Sequence, residues 1–333
     1  MATSQLSDDT ALQFLSEHGW LPLVLADHPG FVGAFTSLQH ASKAFFALPE
    51  DSLDKTAHAA VSGALASEEG YSKIPGEKSI LAIKTVSQCP RPLSAPAAAA
   101  WGVAAKFMDR ILQAIARSLE LESDAFSPLV EPCKALPKEM RTPSLLRLFR
   151  YDRPLDSKVK VNAERHRDLG LLSLVIGHSP GLLALNSATN QWVSVEESSA
   201  LPPQAKLRSG GFTATLLVGE TLAFLSRDRY RAGVHAVMCA PPQGGYQEGD
   251  EDEKYRYSMV LALRPAVAPL WTKNFESNVT GCFRENEIAK GESSDVLFSR
   301  IRNTHYNVNI APEIREKQKQ EQVMEQAKRS RTP

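Results

Sequence analysis

Cysteine, aromatic residues and net charge are all scarce in this sequence, and each scarcity excludes a class of protein. The 4 cysteines among 333 residues are dispersed and have no paired spacing, so neither a disulfide scaffold nor a cysteine zinc site is expected. Basic and acidic residues number 38 each, and a formal net charge of zero gives no general attraction to nucleic acid or acidic membranes. No apolar run approaches the length of a membrane span. These features predict a reduced, cytoplasmic protein with neither nucleic acid nor membrane as partner.

Apolar periodicity divides the chain into three sections. Residues 1–140 are predicted to be mostly helical and to pack on the core, with one long helix that starts near Pro96. Residues 141–268 hold short apolar stretches between turn residues, which is typical of an all-β sandwich or barrel. Residues 269–333 form a C-terminal helical extension, whose charged stretch 312–329 is predicted to be an exposed helix. The expected fold class is a mainly β core with flanking helices (α+β).

Two histidines and an aspartate have a spacing that suits a metal site. His166 and Asp168 are separated by one residue, and His235 follows downstream. On an extended segment residues two apart project to the same side, so the first two side chains can reach one metal ion while Arg167 points away. Two imidazoles and one carboxylate suit non-haem Fe(II) that keeps open positions for an organic acid and dioxygen. Taken alone, the His-x-Asp pair is a weak signal that a surface turn also explains.

An arginine and a serine show the same spacing of two in a later apolar stretch. Arg256 and Ser258 lie within residues 255–263, a pattern that predicts a buried strand. Both side chains are expected to face inward. A buried guanidinium needs an anionic partner because an unpaired charge in an apolar environment is costly, and a carboxylate fits its fork geometry best. The distal carboxylate of 2-oxoglutarate would serve as that partner.

These segments together resemble the Fe(II)/2-oxoglutarate-dependent dioxygenases, in the isopenicillin N synthase-like branch. The matching motifs follow the family's order over residues 145–265: HRDLGLLSLV, GLLAL with WVSV, LLVGETLAFLS, the histidine of AGVHAV, and RYS. Looser matches, such as FFALP and EGY, extend the resemblance toward the N-terminus. The family implies a double-stranded β-helix core (jelly roll, cupin-like), in which residues 216–226 are predicted to form a strand pair or one bent strand.

The resemblance also implies a cofactor, two co-substrates and the residues that hold them. Fe(II) would be bound by His166, Asp168 and His235. The co-substrate 2-oxoglutarate would be bound by Arg256, Ser258 and Tyr151. Dioxygen is the second co-substrate, and ascorbate is a candidate reductant. The implied reaction is hydroxylation, desaturation or oxidative cyclisation of a small molecule, from secondary or amino-acid-derived metabolism.

The substrate and two alternative functions stay open at this point. Four basic residues are candidates for binding an acidic substrate, although surface or structural charge explains each equally well: Arg147, Arg150, Lys73 and Lys84. One alternative is an oxidase of the same fold that does not use 2-oxoglutarate. The other is a non-catalytic jelly-roll binding module. The sequence indicates no oligomeric state.

Departures from the family pattern affect the surroundings of the predicted site. Ala236 follows His235 where the family commonly has an arginine, so support from that side chain is absent. The segment before Arg256 is longer than usual, and its residues 241–253 are turn-rich and acidic, which predicts an exposed hairpin extension. The other histidines lack a partner at ligand spacing and are predicted to be surface or packing residues: His18, His28, His40, His58, His178 and His305.

Overall fold

Eleven strands form two antiparallel sheets in the part of the chain that the computed structural model describes, which is residues 9–23, 29–60, 68–154, 158–197, 212–241 and 254–329. The strands are β1 (Trp20–Leu23), β2 (Gly70–Ile74), β3 (Lys78–Ile83), β4 (Leu145–Asp152), β5 (Lys160–His166), β6 (Leu172–Gly177), β7 (Leu182–Asn186), β8 (Gln191–Ser194), β9 (Thr213–Val218), β10 (His235–Cys239) and β11 (Tyr255–Leu263). The larger sheet has the order β1-β9-β6-β11-β4-β3-β2, and the smaller has the order β5-β10-β7-β8. Most neighbours in these orders are distant in sequence, which predicts slow, non-local folding.

Alternation along the strands decides which side chains face each other across the two sheets. In β4, Leu146 and Leu148 belong to the apolar core under the helices, whereas Phe149 and Tyr151 belong to a second core between the sheets. Successive side chains of a strand point to opposite faces, so the large sheet is buried on both. The space between the sheets is where the predicted site residues of β4, β5, β10 and β11 can meet.

Eight α-helices flank the sheets within the described residues. They are α1 (Asp9–His18), α2 (Pro29–Ala47), α3 (Leu53–Ala57), α4 (Arg91–Ser118), α5 (Ser127–Val130), α6 (Glu220–Leu225), α7 (Ser294–Arg302) and α8 (Pro312–Arg329). Two short 3-10 helices span Glu131–Cys133 and Thr272–Phe275. These elements and the two sheets confirm the predicted α+β class with a mainly β core.

The long N-terminal helix is present, although it begins earlier than the sequence pattern suggested. α4 starts at Arg91, and Pro96 lies inside it instead of near its start. Pro92 occupies the first turn, where the missing N–H costs no hydrogen bond. The helix buries Trp101 and Met108 completely and packs its apolar face on the large sheet.

The prediction of a strand pair or bent strand over residues 216–226 was wrong for the second half of this segment. β9 ends at Val218, and α6 begins at Glu220. A Cβ on Gly219 would lie 2.1 Å from the Gly170 carbonyl oxygen, so only glycine permits the close approach at this turn. The Glu220 N–H then donates to the Asp168 carbonyl oxygen at 2.8 Å, which fixes the start of α6 against the segment that carries Asp168. The apolar residues of α6 are spaced in a way that suits a strand as well as a helix. Apolar periodicity alone therefore could not distinguish the two.

The C-terminal helix is largely exposed, as expected, but it is anchored at its first turn. Arg315 is buried and binds Glu77 at 2.9 Å, and Lys319 binds Glu164 at 2.6 Å. Glu164 lies on β5, two residues before His166, so α8 is held next to the predicted metal ligands.

The acidic residues 242–253 lie outside the described ranges, as does His28. The division into sections 1–140, 141–268 and 269–333 stays a prediction, and β1 to β3 of the first section join the large sheet.

Within the residues described, none of the helices has the length and apolar character required to traverse a lipid bilayer.

Candidate metal centre

Cross-strand pairing brings the two predicted histidine ligands together. His235 on β10 is the direct antiparallel partner of His166 on β5, and the centroids of their rings lie 4.2 Å apart. Asp168 follows two residues beyond the end of β5. One ligand atom from each of the three side chains can be chosen so that all lie within 4.8 Å of one another. Arg167, between the two, is not part of this group and binds Glu220 at 3.3 Å.

Backbone carbonyl groups fix the orientation of both imidazoles. His166 Nδ1 lies 2.7 Å from the Glu164 carbonyl oxygen, and His235 Nδ1 lies 3.1 Å from the Gly233 carbonyl oxygen. A carbonyl oxygen can only accept, so each Nδ1 carries a proton, and Nε2 is the ring nitrogen that is left to face a metal ion. This arrangement of a donated outer N–H is the one that orients a metal-binding histidine.

Burial and mutual charge set the protonation states of this group. Burial, together with the nearby His235, lowers the pKa of His166 to about 3, so His166 is neutral near pH 7. Burial alone would raise the pKa of Asp168, but the nearby His235 and His166 outweigh it and hold the pKa below its usual value. A neutral imidazole beside an ionised carboxylate is the state required to bind a divalent cation.

An inner cavity between the sheets joins this group to the buried strand β11. Alternate residues of four strands line it, as the strand period requires: Phe149 and Tyr151, His235 and Val237, Arg256 and Ser258, and Ala163. Arg256 and Ser258 are almost fully buried, and both side chains face inward. Tyr151 has a hydrogen-bonding neighbour in Ser258, and burial raises the pKa of Tyr151 to about 12, which keeps its hydroxyl protonated.

The buried Arg256 already has one carboxylate partner, Glu196, which the sequence pattern did not indicate. Arg256 Nη2 lies 2.9 Å from Glu196 Oε1, and both side chains are buried. Glu196 also accepts the backbone N–H of Leu182 at 3.0 Å. Arg256 Nη1 is buried and has no hydrogen-bond partner among the described residues. A Cβ on Gly181 would lie 2.6 Å from Arg256 Nε, so the guanidinium packs where only glycine leaves room.

A larger outer cavity of about 760 Å³ opens beside the same group. His166 and Asp168 line it together with the segment from Arg302 to Asn309 and one side of α8. Arg147 and Asn309 line both cavities and therefore mark the junction between them. The outer cavity is large enough for a small organic molecule next to the His-Asp-His group.

The structure separates the basic residues that the sequence grouped as substrate candidates. Arg147 lines both cavities, whereas Lys84 lines neither and binds Glu68 at 3.5 Å. Arg150 lines neither of them; its Nη1 donates to the Phe46 carbonyl oxygen at 2.8 Å and its guanidinium stacks on Tyr255. Lys73 also lies away from them and binds Glu50 at 3.4 Å. A substrate role for Arg150 and Lys73 stays a prediction without support from their positions.

His305 is a cavity residue that sequence reasoning assigned to surface or packing. Its Nε2 donates to Glu220 Oε1 at 3.3 Å, and its Nδ1 lies 3.0 Å from the Ile301 carbonyl oxygen. The hydrogen bond to Glu220 raises the pKa of His305, because both ring nitrogens then have acceptors. No sequence signal pointed to this residue, since its partner lies 85 residues away.

Two curated fungal proteins are similar to part of this chain. The oxidoreductase vrtI of Penicillium aethiopicum is 30% identical over 129 residues, which cover 39% of this chain and 26% of that protein. The 2-oxoglutarate-dependent dioxygenase frbH of Dothideomycetidae sp. is 31% identical over 121 residues, which cover 36% of this chain and 32% of that protein. Each match spans less than a third of the relative's length. No family model matches the sequence.

Solved structures match a much greater part of the chain. A full-length Neurospora crassa protein, in complex with α-ketoglutarate and 5-formyluracil, superposes with a TM-score of 0.63 at 18% identity over 89% of this chain and 90% of that chain. Dioxygenase for auxin oxidation 1 of Arabidopsis thaliana, in a binary complex with 2-oxoglutarate, gives 0.56 at 15% identity over 80% and 91%. Identities this low establish the fold alone. With the fungal similarities, they confirm the resemblance in the sequence motifs: the chain has the jelly-roll fold of the 2-oxoglutarate/Fe(II) oxygenases.

Proposed function

We propose that the protein is an Fe(II)- and 2-oxoglutarate-dependent dioxygenase that oxidises a small molecule. The observation that carries the proposal is the pairing of His235 with His166 across β10 and β5, with Asp168 within reach of both. Two imidazoles and one carboxylate are the donor set that non-haem Fe(II) oxygenases use. The fungal relative named as a 2-oxoglutarate-dependent dioxygenase and the 2-oxoglutarate complexes of the structural neighbours support the same assignment.

The residues present fit the metal ion. His166 and His235 would bind through Nε2, because each Nδ1 donates to a carbonyl group. Asp168 would supply one carboxylate oxygen and one negative charge. When bound, Fe(II) supplies the redox chemistry by which dioxygen and 2-oxoglutarate are converted to succinate and carbon dioxide while the substrate is oxidised. Ascorbate would keep the metal reduced.

The wall of the inner cavity suits the distal carboxylate of 2-oxoglutarate because it contains an unsatisfied cationic donor. Arg256 Nη1 is buried without a partner among the described residues, and such a donor is costly unless a ligand accepts from it. The distal carboxylate of 2-oxoglutarate would accept from Arg256, Ser258 and Tyr151. Tyr151 stays protonated and therefore donates. Apolar neighbours such as Phe149 exclude water and strengthen these interactions.

One alternative has a specific observation in its favour. Glu196 already balances the charge of Arg256, so the protein does not need a second carboxylate there to satisfy the guanidinium electrostatically. An oxidase that binds its substrate to the metal and does not use 2-oxoglutarate would be compatible with this pair. The unsatisfied Nη1 favours the 2-oxoglutarate-dependent reaction over this alternative. A non-catalytic binding module would have no need of two oriented imidazoles beside an ionised carboxylate.

The test is an anaerobic titration of the metal-free protein with Fe(II), followed by 2-oxoglutarate, while the visible charge-transfer band of the chelate is recorded. The band should appear only after both are added. Asp168→Ala should abolish iron binding, whereas Asp124→Ala, which removes an exposed carboxylate elsewhere, should not change it. Iron binding without the band would favour the oxidase. Absence of iron binding in the wild type would contradict both.

A further inference from the structure

Three cationic side chains surround a single carboxylate at the far end of β11. Arg264 Nη1 lies 2.6 Å from Glu68 Oε2, and Arg264 Nη2 lies 3.3 Å from Oε1. Arg147 Nη2 lies 3.1 Å from Glu68 Oε1, and Lys84 Nζ lies 3.5 Å from Oε2. We call Arg147, Arg264 and Lys84 around Glu68 the cationic cluster. It contains three positive charges and one negative charge.

The charged groups of the cationic cluster are poorly solvated. Arg147 and Arg264 are only 9% and 6% exposed. Burial raises the pKa of Glu68, but the guanidinium groups of Arg264 and Arg147 outweigh it and hold the pKa far below its usual range, so the carboxylate stays ionised. Like charges at short range in a medium of low polarity repel strongly. An anion added here would relieve that repulsion.

Two carboxylates near the cationic cluster, those of Glu69 and Asp168, have other partners. Glu69 binds Arg141, with Glu69 Oε2 2.7 Å from Arg141 Nε. Asp168 is close enough to interact electrostatically with Arg147, but it belongs to the His-Asp-His group. Even if Asp168 is counted with the cationic cluster, positive charge exceeds negative charge by one. The cationic cluster alone therefore has an excess of two positive charges, and the excess is one when Asp168 is included.

The cationic cluster faces the space next to the predicted metal ligands. Glu68, Arg147 and Arg264 line the outer cavity together with His166 and Asp168. Arg147 also lines the inner cavity, whereas Lys84 binds Glu68 but lines neither cavity. A molecule in the outer cavity can thus contact the guanidinium groups at one end while another of its atoms approaches the His-Asp-His group.

We propose that the cationic cluster binds a carboxylate of the substrate, so that the substrate is a small carboxylic acid oxidised at a carbon remote from that group. This inference rests on the proposed function of the same site. Guanidinium groups bind phosphate as well as carboxylate. The carboxylate is favoured because its single charge lowers the positive excess without reversing its sign, whether or not Asp168 is counted, whereas a doubly charged phosphate reverses the sign when Asp168 is counted.

Binding of matched acids and amides tests the proposal directly. Benzoate, phenylacetate and octanoate are compared with their primary amides and with inorganic phosphate, by calorimetry at constant ionic strength. The measurement is made on the protein with and without Fe(II) and 2-oxoglutarate, under anaerobic conditions. Since a charge-assisted pair is roughly twice as strong as a neutral one, at least one acid should bind about 10-fold more tightly than its amide. Equal binding of acids and amides, or tighter binding of phosphate, would overturn the carboxylate assignment.

Variants identify the cluster as the place of binding. Arg264→Gln should weaken acid binding by about 10-fold and leave amide binding unchanged, since only the charged pair is lost. Arg227→Gln is the matched control, because Arg227 also binds a glutamate, Glu287 at 2.9 Å, but lines neither cavity. Unchanged acid binding in Arg264→Gln would overturn the proposal.

A second variant removes the dependence on whether Arg264→Gln folds. Glu68→Gln deletes the only carboxylate of the cationic cluster and should tighten acid binding several-fold, an effect that a merely structural role of these residues does not predict. Weaker acid binding in folded Glu68→Gln protein would contradict the inference. Failure of the proposed function has a different signature: 2-oxoglutarate would not bind at Arg256, while acid binding at the cationic cluster would still be measurable.

Discussion

The two ends of β11 hold buried arginines in different electrostatic surroundings. Near its start, Arg256 has one partner carboxylate, Glu196, and both are shielded from solvent. Directly after its end, Arg264 shares one carboxylate, Glu68, with two other cations. The first pair is balanced in charge and leaves one donor atom, Nη1, without a partner among the described residues. A balanced pair thus offers directional hydrogen bonding, whereas an excess of cations offers net attraction for an anion.

The difference suggests a division of roles between the two cavities. At the Arg256 end, orientation is set by fixed neighbours, including Glu196 and the Ser179 carbonyl oxygen at 3.2 Å from Arg256 Nε. Such a site suits one co-substrate of constant shape. At the Arg264 end, the cavity is large and the attraction is less directional. Such a site suits a substrate that is held by charge at one end and by shape elsewhere.

The largest effect is expected from removing the Arg256 guanidinium near the start of β11. We call this the balanced end, because Arg256 and Glu196 balance each other's charge there. Arg256→Ala should raise the Kd for 2-oxoglutarate by at least about 100-fold, because truncating one partner of a buried charged pair costs several kcal/mol. Iron binding should be nearly unchanged. The readout is the charge-transfer band during anaerobic titration, with Arg227→Gln as control. Unchanged co-substrate affinity would remove the assigned role of Arg256 and the contrast between the two ends.

Glu68→Gln should lower stability in a pH-dependent way. The folded pKa of Glu68 is depressed from its usual 4.5, so its ionised form stabilises the fold above that pH and the contribution is lost as pH falls toward the folded value. At pH 7 the variant should be less stable by about 3 kcal/mol, because three cations then lack their shared carboxylate. Urea unfolding at several pH values measures the difference. A deficit that did not shrink below the usual pKa would contradict the electrostatic origin.

Glu196 variants should separate charge from positioning at the balanced end. Glu196→Gln keeps an acceptor for Arg256 but removes the competing charge, so 2-oxoglutarate should bind about 5-fold more tightly, which corresponds to about 1 kcal/mol. Glu196→Ala removes the acceptor as well, so Arg256 loses its orientation and affinity should fall. Both are measured by the same titration. Equal weakening in the two variants would show that the carboxylate charge itself is required.

The smallest effect is expected at the edge of the cationic cluster. Lys84 lies 3.5 Å from Glu68 and lines neither cavity, so Lys84→Gln should weaken acid binding only about 2-fold, as for a partly solvated ion pair worth under about 1 kcal/mol. Lys134→Gln, which alters a lysine bound to Asp109 at 3.0 Å, is the matched control. Calorimetry with benzoate measures both. A loss as large as that of Arg264→Gln would place Lys84 in direct contact with the ligand.

Local spacing made part of the site predictable. His166 and Asp168 are two residues apart on one strand and its extension, and Arg256 and Ser258 share a face of β11 for the same reason. A buried strand with an inward arginine can be predicted from a single sequence, because apolar residues lie on both sides of the charged one. The boundary between β9 and α6 was not predictable, because apolar spacing there suits either a strand or a helix.

Other residues of the site gave no signal along the chain. Glu196 follows β8 next to Glu197, where two acidic residues suggest a solvated turn, yet it is buried against Arg256. Glu68 lies 196 residues from Arg264, and His305 lies 85 residues from Glu220. Each of these pairs exists only because segments distant in sequence become neighbours. Partners of this kind cannot be deduced from periodicity or composition.

The sequence by itself determined which chemical groups are available and which of them share a face, because a strand repeats every two residues. His166 with Asp168, and Arg256 with Ser258, follow from that rule. Only the tertiary structure decided that His235 pairs with His166, that Glu196 balances Arg256, and that Arg147 and Arg264 share Glu68. The physical reason is that sheet order and register are fixed by burial of the whole core, and burial brings together charges that the chain keeps far apart.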